Sequence, residues 1–330
     1  MKILVTGAAG FVGSYYLKKL IDNEHEVIGL DNYNSYYNPN LKIERTKALF
    51  PKSINVIKNI DLTNQKNIDE VFKTFKPQVV IHLAAQAGVR LPIQEYGKYT
   101  DSNIIGFINI CEAVAKYEVK NFLFASSSSV YGNTLEVPFK ENNRELNPVS
   151  IYGVTKLFNE HYSEIFFKNS ITKVIALRFF TVYGPWGRPD MAYFRILSSL
   201  LKDEEFSKFG DGNLKRDFTY VEDTVNSIYL LMKMSAIKPM AEFEIFNIGG
   251  GHPYSLNDLI NEFEEQFKKK LKIKQLPSSA LDVKITHANY DKLEKFINFV
   301  PSTKLEEGVG KILKWSSLKG VEEKIPSWGS

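Results

Sequence analysis

The sequence predicts an α/β protein, a doubly wound parallel sheet over residues 1–180 followed by a smaller C-terminal α/β lobe over residues 181–330. Two observations predict it. The chain opens with a β-branched run, Lys2 to Thr6, that breaks into a glycine turn and then a helical pattern. From there to Phe180, short Val/Ile-rich runs alternate with amphipathic stretches, as in a parallel sheet buried on both faces.

Composition bounds the class. Of 330 residues, 44% are hydrophobic and 24% charged, which suits a water-soluble protein with a sizeable core. A net charge of +4 is small for this length and argues against nucleic-acid or membrane partners, while leaving room for a local basic site. The single cysteine, Cys111, excludes an internal disulfide framework and fits a reducing compartment; its apolar neighbours give it a packing role. No secretory signal opens the chain, and no apolar run reaches the ~20 residues that span a bilayer, so a cytoplasmic location is expected. No His, Cys or carboxylate cluster has metal-ligand spacing; His82 reads as core, and no metal is expected.

The first strand ends in Gly7-Ala8-Ala9-Gly10-Phe11-Val12-Gly13, and a helix is expected from Tyr15 to Ile21. Glycines between a strand and a helix let backbone approach a diphosphate, which meets the free N–H groups at the helix start. The second strand, Glu26 to Leu30, ends at Asp31, 18 residues past Gly13. A carboxylate there accepts both ribose hydroxyls of an adenosine and repels a 2′-phosphate, selecting NAD over NADP. This is a Rossmann dinucleotide site.

A strand at Asn55 to Ile60 leads to Asp61-Leu62, an adenine contact, and a helix spans Asn64 to Phe75. Pro77 to His82 forms a fully apolar strand, followed by the small residues Leu83-Ala84-Ala85 where backbone passes a ligand. The expected cofactor set is Gly7, Gly10, Phe11, Val12, Gly13, Asp31, Asn32, Asp61, Leu62, Leu83, Ala84, Ala85 and Asn103, with Tyr152 and Lys156. A helix from Asp101 to Tyr117 and a strand from Asn121 to Ala125 deliver Ser126 to Ser129 to the carboxyl edge of the sheet, where such folds bind ligands.

Tyr152 and Lys156 stand four residues apart on the next helix, which runs to about Lys168, so they share one face. An ammonium beside a phenol favours the phenolate and lowers its pKa towards that of a working base. The strand Lys173 to Phe180 ends in a segment with two prolines and two glycines, where regular structure is expected to stop. Beyond it, helices at Met191–Leu201, Glu222–Lys233, Leu256–Lys268 and Leu305–Ser316 alternate with short strands near Phe218–Val221 and Phe243–Ile248.

The glycine motif, Asp31, the serine run, Tyr152-x-x-x-Lys156 and Arg178-Phe179-Phe180-Thr181 together resemble the extended short-chain dehydrogenase/reductase family, over essentially the whole chain. The resemblance implies a catalytic Ser127, Tyr152 and Lys156: the tyrosine acts on a sugar hydroxyl, and the lysine holds the nicotinamide ribose. In the 4,6-dehydratases of that family an Asp-Glu pair follows the catalytic Ser/Thr, and here Ser128 and Ser129 stand instead. UDP-galactose 4-epimerases carry an asparagine where this chain has Thr181. The string from Arg178 to Ala192, with Gln86-Ala87-Gly88-Val89-Arg90 and the four serines, looks like the UDP-glucuronate 4-epimerases.

That likeness implies tightly bound NAD, a UDP-sugar substrate carrying a carboxylate, and a role in surface polysaccharide precursor synthesis. Ser127, Ser128, Ser129 and Thr181 are then expected on the sugar, with Arg90, Arg188 and Arg216 as the cations for the UDP diphosphate. An epimerase of neutral UDP-hexoses (UDP-glucose or UDP-N-acetylglucosamine), a UDP-glucuronate decarboxylase and a non-catalytic NAD sensor are the alternatives. The family usually dimerises through the Asp101 and Tyr152 helices, and Phe158, Tyr162 and Phe166 would suit that. The chain departs from the family at Ala288-Asn289, where an Ala-Asp pair is usual near the nucleotide.

Overall fold

The computed structural model describes residues 1–134, 136–278 and 283–318; the remainder of the expected C-terminal lobe lies outside them. Strands β1 (Lys2–Thr6), β2 (Glu26–Asp31), β3 (Ile57–Asn59), β4 (Val79–His82), β5 (Asn121–Ser127) and β6 (Lys173–Phe179) are laid down in turn. Then β7 (Thr181–Tyr183), β8 (Phe206–Phe209) and β9 (Lys215–Tyr220) leave the main sheet, β10 (Phe243–Ile248) returns to it, and β11 (Pro253–Ser255) and β12 (Ile273–Leu276) complete the chain. The main sheet has seven strands in the order β10-β6-β5-β4-β1-β2-β3, all parallel.

This order places the site. From β1 the chain winds outward through β2 to β3, then restarts at β4 on the other side of β1 and winds the opposite way. At such a reversal the loops leaving neighbouring strands diverge, and a crevice opens beyond their carboxyl ends. Apolar side chains from both faces of the sheet form two large cores. Cys111 and His82 lie within this packing; the His82 Nδ1 is 2.9 Å from the Thr6 hydroxyl, and burial pushes its pKa down to about 3.

Several elements differ from the sequence expectation. The first helix is Phe11–Asp22, so Gly13 lies inside it rather than before it. The expected Asn55 strand shrinks to three residues of β3, because this sheet edge pairs only with Gly29 to Asp31. A helix at Pro39–Leu49 was not expected. Asn38 caps it by accepting the Asn40 N–H at 3.0 Å, but its buried face is Leu41, Lys42, Arg45 and Thr46, so no apolar stripe betrays it.

The largest correction concerns the second half. Regular structure does not stop after β6: Thr181–Tyr183 pairs in parallel with Phe218–Tyr220 of β9. Phe243–Ile248, expected in the C-terminal lobe, pairs along its full length with β6 in the main sheet. Two small sheets, β11-β9-β7 and β12-β8, stand outside it. Among the described residues, no helix is long and apolar enough to cross a membrane.

Candidate active site

The glycine turn is built for backbone. Gly7 has φ +67°, and a Cβ there would come within 2.7 Å of the Ala84 nitrogen. A Cβ at Gly13 would lie 2.0 Å from the Gly7 carbonyl oxygen, so this helix turn packs on the loop only with hydrogen at that position. The Phe11–Asp22 helix has no side-chain N-cap and no acidic residue in its first turn, which leaves its positive end open to an anion.

Asp31, 8% exposed, accepts the Ala9 N–H at 3.0 Å and the Tyr33 N–H at 2.8 Å, with the Lys42 ammonium 3.7 Å away. Asn32 donates to Asp61 at 2.8 Å. Burial alone would raise the Asp61 carboxyl, but bonds from Asn32 and Thr63 outweigh it and hold the pKa below its ordinary value. Leu62 is buried beside it, and Leu83, Ala84 and Ala85 continue β4 into the crevice half-buried. Asn103 lies in a π-helical turn, Thr100–Ile105, and its amide is occupied by protein. It accepts the Gln86 N–H at 2.8 Å and donates to the Gln86 carbonyl and Thr155 hydroxyl at 3.1 and 3.0 Å, tying the β4 loop to the Tyr152 helix. The bare loop, uncapped helix end and terminal carboxylate fit an adenine dinucleotide.

Ser150 caps the Ile151–Phe166 helix by accepting the Gly153 N–H at 3.1 Å, fixing the start from which Tyr152, Lys156 and Glu160 follow on one face. The Lys156 ammonium reaches to the Ala125 carbonyl at 2.8 Å and lies 5.8 Å from the centre of the Tyr152 ring. Burial lowers its pKa to about 8, against an upward pull from Glu160. Burial likewise pushes the Tyr152 phenol above its ordinary value, with the Arg188 charge and a hydrogen bond to Ser127 pulling back. Lys156 is turned to a β5 carbonyl while staying beside the Tyr152 ring, and the Arg188 charge and Ser127 hydroxyl are further groups that favour the phenolate.

The four serines divide. Ser126 donates inward to Glu160 at 2.5 Å, whereas Ser127 caps the turn Ser128–Val130 by accepting the Ser129 N–H at 3.1 Å. Ser127 also donates to the Ser129 hydroxyl at 3.1 Å, so hydroxyls rather than carboxylates line the end of β5. Thr181, half-buried, starts β7 just past β6. Arg188 donates to both oxygens of Asp190 at 3.0 and 2.5 Å, and the Tyr36 hydroxyl donates to Asp190 at 3.1 Å. Desolvation opposes the Arg188 charge, but Asp190 more than compensates and raises its pKa further.

The other two arginines come from other segments. Arg90 is exposed with its guanidinium 5.5 Å from the centre of the Phe209 ring, and Arg216 on β9 donates to the Lys215 carbonyl at 2.9 Å. Asp217, fully buried, accepts N–H groups from Gly250, Gly251 and Ala288 at 3.0, 2.9 and 3.0 Å, anchoring the strand that bears Arg216. Asn289 donates its main-chain N–H to the Phe139 carbonyl at 3.0 Å and its side chain to Asp291 at 3.0 Å. Sequence reasoning missed Glu160, Tyr36, Asp190 and Asp217. Only Asp190 had a local signal, two residues past Arg188.

The model of the NAD dependent epimerase/dehydratase family matches residues 3–249. The chain is 39% identical to Protein CapI of Staphylococcus aureus, covering 96% of this chain and 98% of that protein. It is 37% identical to the UDP-glucuronate 4-epimerase of Thermodesulfobacterium geofontis, over 95% of both chains. Among solved structures, UDP-glucuronic acid 4-epimerase from Bacillus cereus, in complex with UDP-glucuronic acid and NAD, is similar with a TM-score of 0.87 at 32% identity, covering 96% of this chain and 98% of that one.

Proposed function

The chain belongs to the NAD dependent epimerase/dehydratase family, and on that premise we propose that it interconverts UDP-glucuronate and UDP-galacturonate by inverting C4 of the sugar. The observation that carries this reading is the row of hydroxyls at the end of β5. Ser127 bonds Ser129, Ser128 and Ser129 follow where dehydration would need carboxylates, and the Arg188 charge in the segment after β7 favours the Tyr152 phenolate.

Bound NAD supplies a reversible hydride acceptor, so that C4 is oxidised and then reduced with no net consumption. Gly7 to Gly13 and Asp31 would hold its diphosphate and adenosine ribose, and Lys156 its nicotinamide ribose. As a phenolate, Tyr152 takes the proton of the C4 hydroxyl as hydride leaves C4, and gives it back when hydride returns to the other face of the turned 4-ketone. That ketone lies β to the C5 carboxylate, an arrangement prone to lose CO₂ when the breaking C–C bond stands perpendicular to the carbonyl plane. Hydroxyls of Ser128, Ser129 and Thr181, with Arg188, hold the carboxylate away from that geometry. Arg216 and Arg90 serve the UDP diphosphate.

Incubation of the purified protein with UDP-glucuronate and, separately, UDP-glucose, without added NAD, tests this by NMR of the products. UDP-galacturonate from the first alone is expected. Turnover of UDP-glucose only, or UDP-xylose as the main product, would sink the uronate epimerase reading.

The partner reading is a second copy of the chain in a cytoplasmic enzyme. Ile105, Val154, Ile165 and Phe166 are exposed at 41, 49, 76 and 39%, and Phe158, Tyr162 and Phe166 stack in series with ring centres 5.5 and 5.3 Å apart. Two such faces would cover one another. Light scattering should give twice the chain mass, and Ile165→Glu should halve it.

A further inference from the structure

Arg45, on the unexpected Pro39–Leu49 helix, is fully buried. Its acceptors are the carbonyls of Trp186 at 2.7 Å, Ala9 at 2.8 Å and Gly187 at 3.4 Å, and the Tyr37 hydroxyl at 3.1 Å. Among the described residues no carboxylate pairs with it. A buried cation without an anion is expensive, and carbonyl dipoles only partly offset the loss of water. An anion is nevertheless due nearby, because Ala9 lies in the glycine turn that fits a dinucleotide diphosphate. The Ala9 peptide itself is shared: its N–H goes to Asp31 and its carbonyl to Arg45.

The other end of the guanidinium holds a strained segment. Trp186 has φ +59°, a conformation that a bulky side chain adopts only under constraint. Its ring packs against Trp315 at 5.1 Å between centres, and two residues on stands Arg188, paired with Asp190 and with its charge favouring the Tyr152 phenolate. Tyr15 makes a second tie to this segment, from its hydroxyl to the Pro185 carbonyl at 3.0 Å.

We infer that Arg45 couples the two halves of the site, its buried charge being completed by the dinucleotide diphosphate, so that NAD binding tightens residues 184–191 and sets Arg188 towards Tyr152. Arg45 is a positioning residue: it bonds the Trp186 carbonyl at 2.7 Å and the Ala9 carbonyl at 2.8 Å, and an anion beside Ala9 offsets the cost of keeping its charge buried between them. The cofactor thus assembles the sugar end of the site before a sugar nucleotide arrives. The inference rests on NAD binding and not on which sugar nucleotide is turned over.

Amide hydrogen exchange on the full chain, NAD-loaded and NAD-stripped, reads this without any substrate. In the wild type, NAD should slow exchange both in residues 7–13 and, by about tenfold, in residues 184–191. In Arg45→Met, NAD should still protect residues 7–13 but no longer residues 184–191. Arg45→Lys, which keeps the charge but cannot fork to both carbonyls, should lose most of the distal effect and decides the matter if the Met variant does not fold. Tyr15→Phe should speed exchange in 184–191 equally with and without NAD, leaving the NAD effect intact. An NAD effect on 184–191 that is absent in the wild type, or that survives in the Lys and Met variants, overturns the inference.

Discussion

Arg178 and Glu160 form a bidentate ion pair, at 2.9 and 2.7 Å, with 1% and 3% of their side chains exposed. Glu160 stands one helical turn beyond Lys156 and is the charge that opposes the fall of its pKa. Arg178 also lies over the Tyr131 ring at 4.7 Å, so the pair fastens β6 and the serine turn to the back of the catalytic helix.

Glu160→Gln leaves Arg178 buried without its anion. Removing one partner of a buried pair destabilises by about 3–5 kcal/mol, to be measured by urea unfolding. The electrostatic consequence is separate. Lys156, already lowered to about 8 by burial, loses the carboxylate that raises it and becomes neutral at lower pH. Activity that needs its charge should therefore fall off at lower pH on the alkaline side of the kcat/KM profile.

Ser127→Ala bears on the acid side of the same profile. In the proposed mechanism Tyr152 is the base, so activity rises as pH climbs through its pKa. Burial raises that pKa and the Ser127 hydroxyl lowers it, so the variant should shift the acid limb to higher pH. Tyr152→Phe should keep NAD and lose turnover by a factor on the order of 10²–10⁴. Retention of most of the activity in Tyr152→Phe would remove the tyrosine from its role.

Thr181→Ala and Ser128→Ala test the protection of the keto acid. Both should bind UDP-glucuronate, and a growing fraction of the product should appear as UDP-pentose by NMR. Normal binding with UDP-galacturonate as sole product would show that these hydroxyls do not restrain decarboxylation.

Asp217→Asn tests the frame of the nucleotide end. The buried carboxylate accepts three main-chain N–H groups, and an amide presents two donors in its place, leaving unsatisfied groups at about 1–3 kcal/mol each. Burial, opposed by those bonds, raises the Asp217 pKa. A raised carboxyl pKa means the folded state binds more protons than the unfolded one, so its contribution to stability falls as pH rises from the ordinary carboxylate range through the folded pKa. The stability difference between wild type and variant should shift across that acid window, as read by thermal unfolding.

Much of the site was legible because local geometry imposes it. A turn that must admit backbone needs Gly7 and Gly13, and a helix puts Tyr152 over Lys156 whatever surrounds it. The Pro39–Leu49 helix was illegible because it buries Lys42, Arg45 and Thr46, and hydrophobic periodicity is silent about a polar inner face. The Arg188 charge on Tyr152 was illegible too, because Arg188 comes from a segment beyond β7 and reaches the tyrosine only through tertiary packing. The Asp217 anchor depends on three segments far apart in the chain, and spacing carries no trace of it.

The return of β10 to the main sheet has a practical consequence for dissecting this enzyme. A gene fragment stopping at residue 180 would leave β6 as a bare edge, its N–H and C=O groups lacking the pairing that Phe243 to Ile248 provide. Such a fragment should be recovered as aggregate rather than as an isolated cofactor module. Swapping the sugar end of this protein onto a relative would need three splice points, one after β6 and one on each side of β10.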